Sequence, residues 1–112
     1  MSSLVDTKKL TSDVVILNMK RQKLLPVPGA FRTRLHVNGK RCNGACALGA
    51  IYGASGPPEP TWYNLGLMYG FDGRSPNCNI YSEFNRSLYL EGYCDGVNIH
   101  LDALRAFNFL KD

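Results

Sequence analysis

Long hydrophobic runs are missing from this sequence of 112 residues. The longest apolar stretches fall far short of the roughly 20 residues that cross a membrane as a helix, so we expect no membrane-spanning segment. The first residues also lack the basic and then apolar pattern of a secretory signal peptide. We therefore expect a cytoplasmic protein, without a membrane partner, whose four cysteines are reduced thiols.

Internal repeats and low-complexity tracts are absent as well, which argues against repeat architectures. Apolar residues make up 45% of the chain and charged residues 20%, a balance typical of globular proteins rather than disordered ones. A chain of this length has room for one core, so we expect a single domain over residues 1–112.

Acidic residues are scarce in the first half of the chain. Residues 1–56 carry nine Lys or Arg and only two Asp, a net charge of +7, whereas residues 57–112 carry a net charge of −3. A basic half steers a protein towards nucleic acid or an acidic protein surface, unless the fold mixes the two halves on its surface.

Nucleotide-binding fingerprints are missing, because neither Gly-x-x-x-x-Gly-Lys nor Gly-x-Gly-x-x-Gly occurs. The nearest candidate for an anion site is Asn43-Gly44-Ala45 at a helix start, preceded by Lys40 and Arg41. We expect no cofactor, and a bound nucleotide or signalling molecule is the alternative that this segment leaves open.

The spacing of the four cysteines does not match that of a structural zinc site. Cys42 and Cys46 are separated by three residues, which fits one half of a zinc site, but Cys78 and Cys94 stand 16 apart and do not form a second pair. The histidines that would have to complete such a site are His36 and His100. We therefore predict no metal site.

The clearest local signal is a β-hairpin. Residues 31–37 alternate apolar and polar side chains and are followed at once by Asn38-Gly39, the pair that favours a two-residue hairpin turn. Before it, Thr11 or Ser12 could cap a first helix, although residues 14–17 read equally as helix or strand.

A run of small residues follows the hairpin. Asn43 can cap a short helix on which Ala45, Gly49 and Gly53 fall at i, i+4 and i+8 and form one narrow stripe. Each helical glycine costs about 1 kcal/mol relative to alanine, which makes sense if another backbone packs closely against the stripe. The stripe predicts either a close packing contact in the core or a seam for a homodimer.

The second half of the chain is predicted to be helical. Thr61 can cap a helix from Trp62 to Tyr69, a further helix ends near Gly92, and a last helix starts at about Asn98 after a turn at Asp95-Gly96. The fold class that follows is α+β, mostly helical, with four or five helices and one short hairpin.

The string Cys46-Ala47-Leu48-Gly49-Ala50 resembles small uncharacterised bacterial and phage proteins in which a "CALGA" helix follows a first helix and a hairpin. In those proteins an acidic turn and an amphipathic C-terminal helix come later, at positions that match Asp95 to Leu110. The resemblance implies an α-rich fold and a phage or mobile-element setting, and it implies no enzymatic activity.

Two groups of side chains are candidates for binding. The first is the basic hairpin, with Arg32, Arg34, Lys40 and Arg41, which with Phe31 nearby could follow a nucleic-acid backbone or meet an acidic protein. The second is an aromatic group that would form a partner site if it shares an exposed face: Trp62, Tyr63 and Tyr69.

A catalytic alternative centres on Cys46. A thiol in the first turn of a helix lies near free N–H groups that lower its pKa, and His100 could act as its base, oriented by Asp102 or Asp95. Against this, a cysteine followed by Ala-Leu-Gly-Ala is typical of a buried apolar position.

No motif defines a reaction, so we predict a small non-catalytic binding protein. The favoured role is a phage-borne accessory or counter-defence inhibitor that acts on a host protein or protein–nucleic-acid complex. Nucleic-acid binding through the basic hairpin and a thiol enzyme at Cys46 are the alternatives.

Overall fold

Four helices and three strands make up the described part of the chain. The computed structural model describes residues 9–59, 61–76 and 79–107. In chain order the elements are α1 (Ser12–Gln22), β1 (Leu24–Pro26), β2 (Thr33–Val37), β3 (Lys40–Ala45), α2 (Ala47–Tyr52), α3 (Trp62–Asp72) and α4 (Glu83–Ala106). This arrangement confirms the α+β, mostly helical class.

The ambiguous segment 14–17 is helical. The side chain of Thr11 caps α1, accepting a hydrogen bond from the Val14 N–H at 3.5 Å. Val15 and Met19, one turn apart, are fully buried, so the helix contributes one apolar face to the core. Lys23 ends the helix in the left-handed conformation at φ 56°.

The hairpin formed by β2 and β3 confirms the Asn-Gly signal. Asn38 and Gly39 both have positive φ, 53° and 79°, as a type I′ turn requires, and Val37 pairs with Lys40 across it. Strand β1, which the sequence did not predict, pairs in parallel with β3, so the strand order is β1-β3-β2.

The predicted start of the small-residue helix at Asn43 is wrong. Asn43 lies within β3, where it pairs with β2 on one side and β1 on the other, so two strands hold its backbone extended. Helix α2 begins at Ala47, after Cys46. Ala45 therefore lies in a strand and Gly53 ends the helix at φ 91°, so the three residues of the proposed dimer seam do not share a helix face.

Close approach of another backbone, the other prediction made for this segment, is confirmed at Gly49. A Cβ added there would lie 2.7 Å from the Cα of Phe31, closer than real Cβ atoms come. The approaching backbone belongs to the same chain, and both Ala45 and Gly49 are buried within it.

Helix α4 is continuous through the positions where we predicted a helix end, at Gly92, and a turn, at Asp95-Gly96. The reason is packing against α3. Gly92 and Gly96 on α4, and Gly66 and Gly70 on α3, are all buried where the two helices touch. Glycine commonly ends helices, but here it serves close contact between two of them.

The glycine contacts show that α3 and α4 run side by side in the same direction. A Cβ added at Gly66 would lie 2.8 Å from the Tyr89 carbonyl carbon, and one at Gly70 would lie 3.0 Å from the Val97 nitrogen. Added to Gly92, it would lie 2.9 Å from the Tyr63 carbonyl carbon. Each helix therefore carries two glycines at which the backbone of the other helix is in close contact.

The core lies between these helices and the β1 side of the sheet. Thr61 caps α3 as predicted, accepting from the Asn64 N–H at 3.0 Å, and α3 continues past Tyr69 to Asp72. The largest fully buried side chains are Tyr63, Tyr89, Phe71, Met19, Leu24, Leu48, Leu67, Ile99 and Val15. Within the described ranges no helix is both long and apolar enough to span a membrane.

Candidate binding surface

The two faces of the β2–β3 hairpin differ in chemistry. On one face Arg34 stands opposite Asn43 and His36 stands opposite Arg41, because cross-strand partners point to the same side of a sheet. All four side chains are exposed. We call this set the basic face.

The opposite face is apolar. Leu35 pairs with Cys42 across the hairpin, and both are half-buried, as are Val37, also on β2, and Leu25 on β1. Val27 also contributes, because a Cβ added at Gly44 would lie 2.5 Å from its Cγ2. We call the set Leu25, Val27, Leu35, Val37 and Cys42 the apolar face.

No carboxylate of the described residues forms an ion pair with the basic face. The sequence has seven Lys or Arg and no Asp or Glu between Asp13 and Glu59. Within the described residues the ion pairs lie elsewhere: Lys9 with Glu91 and Asp95, and Arg105 with Asp102. The Lys9 pairs join the two charged halves of the sequence, whereas the basic residues of the hairpin take part in none of these ion pairs.

Arg32, one of the predicted binding residues, has a structural role. Its Nε donates to the Gly49 carbonyl at 3.2 Å and its guanidinium donates to Gln22 Oε1 at 2.6 Å. Gln22 in turn donates to the Ala50 carbonyl at 2.9 Å. Arg32 thus joins the ends of α1 and α2 to the start of β2.

A shallow groove of about 340 Å³ lies beside this junction and is lined by Arg32, Thr33, Arg34 and Asn43. It offers two guanidinium groups, a hydroxyl and an amide, which are the donors that bind carboxylate or phosphate oxygens. The groove continues the basic face towards the helices.

Of the four predicted basic residues, the structure brings Arg34 and Arg41 together on the basic face. Lys40 pairs with Val37 next to the turn and so lies on the other side of the ribbon, where it is exposed. Sequence reasoning missed His36 and Asn43 as members of the basic face. Both could have been found from the register of the hairpin, because a two-residue turn determines which residues lie opposite each other. In that register His36 lies opposite Arg41 and Asn43 lies opposite Arg34.

The predicted aromatic group does not share an exposed face. Tyr63 is buried at 1% exposure, whereas Trp62 and Tyr69 are half-buried. The Tyr69 ring contacts the Tyr89 ring at 6.0 Å between centroids and carries the Arg74 guanidinium at 5.3 Å. Because Tyr63 is buried and Tyr69 packs against other side chains of the same chain, the three aromatic residues do not form one exposed binding surface.

Tyr63 instead anchors the segment before α1. Its hydroxyl accepts from the Leu10 N–H at 3.0 Å and donates to Asp95 Oδ2 at 2.6 Å, while Lys9 pairs with Glu91 at 2.7 Å. Burial, followed by the hydrogen bond to Asp95, raises the pKa of Tyr63 far above its usual value. The neutral phenol is therefore the form that the fold holds.

The residues of the catalytic alternative are not joined by hydrogen bonds in the described part of the chain. Asp95 bonds to Tyr63 and Asp102 lies 3.7 Å from Arg105, while the His100 ring packs edge-on against Phe71, at 5.2 Å, with its Nδ1 buried and unbonded. These contacts give His100 no orienting carboxylate.

Cys46 is buried, at 3% exposure, beside a small cavity of about 80 Å³ whose lining does not include His100. Burial raises the pKa of its thiol more than the backbone N–H groups of Gly49 and Leu48 lower it. This is the opposite of the low pKa that the catalytic alternative requires, and it agrees with the buried apolar position that the sequence around Cys46 favours.

Metal-ligating side chains do not cluster in the described residues. No group of three or more His, Cys, Asp or Glu there is arranged to hold a metal ion. Cys42, Cys46 and Cys94 are free thiols, and Cys78, like Leu110 at the end of the chain, lies outside the described residues.

No protein-family model matches the chain, and neither the curated proteins nor the solved structures include a protein with detectable similarity to it.

Proposed function

We propose that this protein is a non-catalytic binding protein whose β2–β3 hairpin contacts an acidic protein partner. The observation that carries the proposal is the two-sided chemistry of the hairpin: Arg34, His36 and Arg41 are exposed on one face, and aliphatic side chains are half-buried on the other. A protein partner can match both faces, whereas a phosphate backbone matches only the first.

The aromatic residue expected to assist nucleic-acid binding supports the same choice. Phe31 is half-buried and packs against the core, with its ring against Gly56: a Cβ added to Gly56 would lie 2.5 Å from Cε2 of the ring. Binding of single-stranded nucleic acid relies mainly on exposed Phe, Tyr or Trp rings on which bases stack, and the ring that the basic face offers is the smaller imidazole of His36. Duplex nucleic acid, which needs only the cations, is the alternative that the experiment must separate.

The arginines of the basic face form no ion pair with a carboxylate of the described residues, and this gives the proposal its energetic basis. Charge-assisted hydrogen bonds from two arginines to carboxylates contribute about 1.5 kcal/mol each, so their loss together weakens binding about 100-fold. Because the arginines are exposed and their side chains have no hydrogen-bond partner in the described residues, replacing them should not unfold the protein.

The test measures binding of two fluorescent probes by anisotropy at about 150 mM salt: an acidic peptide of glutamate and valine, and a 20-base-pair DNA duplex. The double variant Arg34→Glu/Arg41→Glu is compared with Arg21→Glu/Arg105→Glu, which lowers the net charge from +4 to zero equally but lies outside the hairpin.

We expect the wild type and the control variant to bind the peptide and the hairpin variant to lose it. Equal peptide binding by both variants, or none by the wild type, would contradict the proposal. If the wild type binds the duplex more tightly than the peptide, and Arg34→Glu/Arg41→Glu no longer binds the duplex, the function is nucleic-acid binding and the proposal is wrong.

The finer role predicted from the sequence, a phage-borne counter-defence inhibitor in the cytoplasm, rests on the short CALGA resemblance and on composition. It stays a prediction. Identifying the partner would test it, whereas the probes above test only the chemistry of the surface.

A further inference from the structure

Strand β2 is an edge of the sheet in the described residues, because the strand order is β1-β3-β2. The other edge, β1, is only three residues long and ends at Pro26, and both Leu24 and Pro26 are buried. Proline cannot donate to a further strand, so β1 is poorly suited to extension. The free edge that can accept another strand is β2.

The hairpin turn determines which backbone groups of β2 face outward. A two-residue turn is closed by a hydrogen-bonded pair, here Val37 and Lys40, and such pairs alternate along an antiparallel ladder. Leu35 therefore bonds to β3, whereas the N–H and C=O groups of Arg34 and His36 point away from the sheet. In the described residues the contact to these groups is from the Thr33 hydroxyl, 3.5 Å from the Arg34 carbonyl.

We propose that an extended segment of the acidic partner adds to β2 as a fourth, antiparallel strand, with its acidic side chains on the basic face and its apolar side chains on the apolar face. This inference rests on the proposed function and adds how the partner is recognised. Side chains alternate along a strand, so the segment alternates acidic and apolar residues.

Charge complementarity selects this occupant over a second copy of the chain. Two β2 strands paired antiparallel would place Arg34 and His36 of one copy opposite those of the other on the same face. Basic side chains directly opposite each other destabilise a strand pair, which is how natural edge strands avoid pairing with themselves. Glutamate or aspartate at the same positions removes that repulsion.

The length of β2 sets the length of the segment. Five residues, Thr33–Val37, extend over about 17 Å, which an added strand of five to seven residues covers. In the antiparallel orientation its acidic residues form the hydrogen-bonded pairs with Arg34 and His36, so their backbone N–H groups point to β2. The N–H groups of its apolar residues point to solvent.

That difference allows a matched test with four peptides, each built from four glutamates and four valines. The first is an eight-residue peptide that alternates glutamate and valine, checked to be monomeric; the second has four glutamates followed by four valines. The third and fourth are alternating peptides that carry backbone N-methyl groups, the third on its two central glutamates and the fourth on its two central valines.

We expect the alternating peptide to bind at least tenfold more tightly than the block peptide. N-methylation on glutamate should weaken binding at least tenfold, and N-methylation on valine should leave it within about twofold. Equal binding by the alternating and block peptides, both still lost in Arg34→Glu/Arg41→Glu, would overturn strand addition and leave the proposed function standing. If the wild type binds none of the peptides, both strand addition and the proposed function would be overturned.

Amide hydrogen exchange gives a second, independent measurement on the wild-type protein. Binding of the alternating peptide should slow exchange at Arg34 and His36 at least tenfold, because their N–H groups become hydrogen-bonded. Leu35 and Val37, already bonded to β3, should change little. Uniform slowing across β2, or none at Arg34 and His36, would contradict the added strand.

Discussion

Replacing Gly92 by alanine tests the interface on which the fold depends. A Cβ at this position would lie 2.9 Å from the Tyr63 carbonyl carbon and 3.0 Å from the Leu67 nitrogen, both in the backbone of α3. Two carbon atoms in contact are ordinarily about 3.5–4.0 Å apart, so the added methyl overlaps α3 by at least about 0.6 Å. Neither atom can move aside by rotating a side chain, so the helices must separate.

The size of the effect follows from two opposing terms. Overpacking of a tight interface costs about 3 kcal/mol when the backbone has to shift. Alanine in place of glycine within a helix returns about 1 kcal/mol. The net loss in free energy of unfolding is therefore about 2 kcal/mol, which lowers the melting temperature of a chain of this length by roughly 8 °C.

Urea denaturation and thermal melting of Gly92→Ala measure this change directly. Ser87→Ala, on the exposed side of the same helix, is the matched control and should keep the free energy of unfolding within about 0.5 kcal/mol of wild type. A Gly92→Ala protein as stable as wild type, or more stable as helix propensity alone predicts, would refute the close approach of α3 and α4.

Three further predictions concern single side chains. Peptide mapping after iodoacetamide treatment should show Cys46, whose pKa burial raises, modified at least about 100-fold more slowly than exposed Cys94; equal rates would contradict a core thiol. Arg32→Ala should lower the free energy of unfolding by about 1–2 kcal/mol in urea, because it releases Gln22 and the Gly49 carbonyl, and Arg32→Lys should not restore it. Tyr63→Phe should cost about 1–3 kcal/mol, since it leaves the Leu10 N–H and Asp95 without their partner. Because the folded state raises the pKa of Tyr63, its contribution is present below about pH 10 and is lost as pH rises above that value; a variant with the same alkaline decline as wild type would contradict this.

Local signals predicted the elements that local chemistry controls. The caps at Thr11 and Thr61 and the Asn38-Gly39 turn were all recognisable, because a side-chain oxygen at a helix start or a pair of residues with positive φ acts within four residues. The turn also sets the register of the hairpin, which places Arg34 and Arg41 on one face but puts Lys40, predicted together with them, on the other.

Glycine was misread where its role depends on distant residues. Gly92 and Gly96 resemble a helix end and a turn in the sequence, but in the fold they admit the backbone of α3. Asn43 is a favourable helix cap by composition, yet pairing with strands on both sides keeps it extended. Nothing within a few residues of either position distinguishes the two outcomes, because the deciding contacts come from other elements.

Only part of the candidate site could be predicted, again because some of the deciding contacts come from distant residues. Exposed charge on an alternating strand is visible in sequence, but the structural role of Arg32 depends on Gln22 and Gly49, ten and 17 residues away. The burial of Tyr63 depends on Leu10 and Asp95, which lie 53 and 32 residues from it.

The most direct test of the account is the affinity of the alternating glutamate–valine peptide for the wild type and for Arg34→Glu/Arg41→Glu, measured by titration calorimetry at about 150 mM salt. We predict measurable binding by the wild type and at least 100-fold weaker binding by the variant, with both proteins equally folded by circular dichroism. Binding that is unchanged by the double reversal would show that the basic face is not the recognition surface.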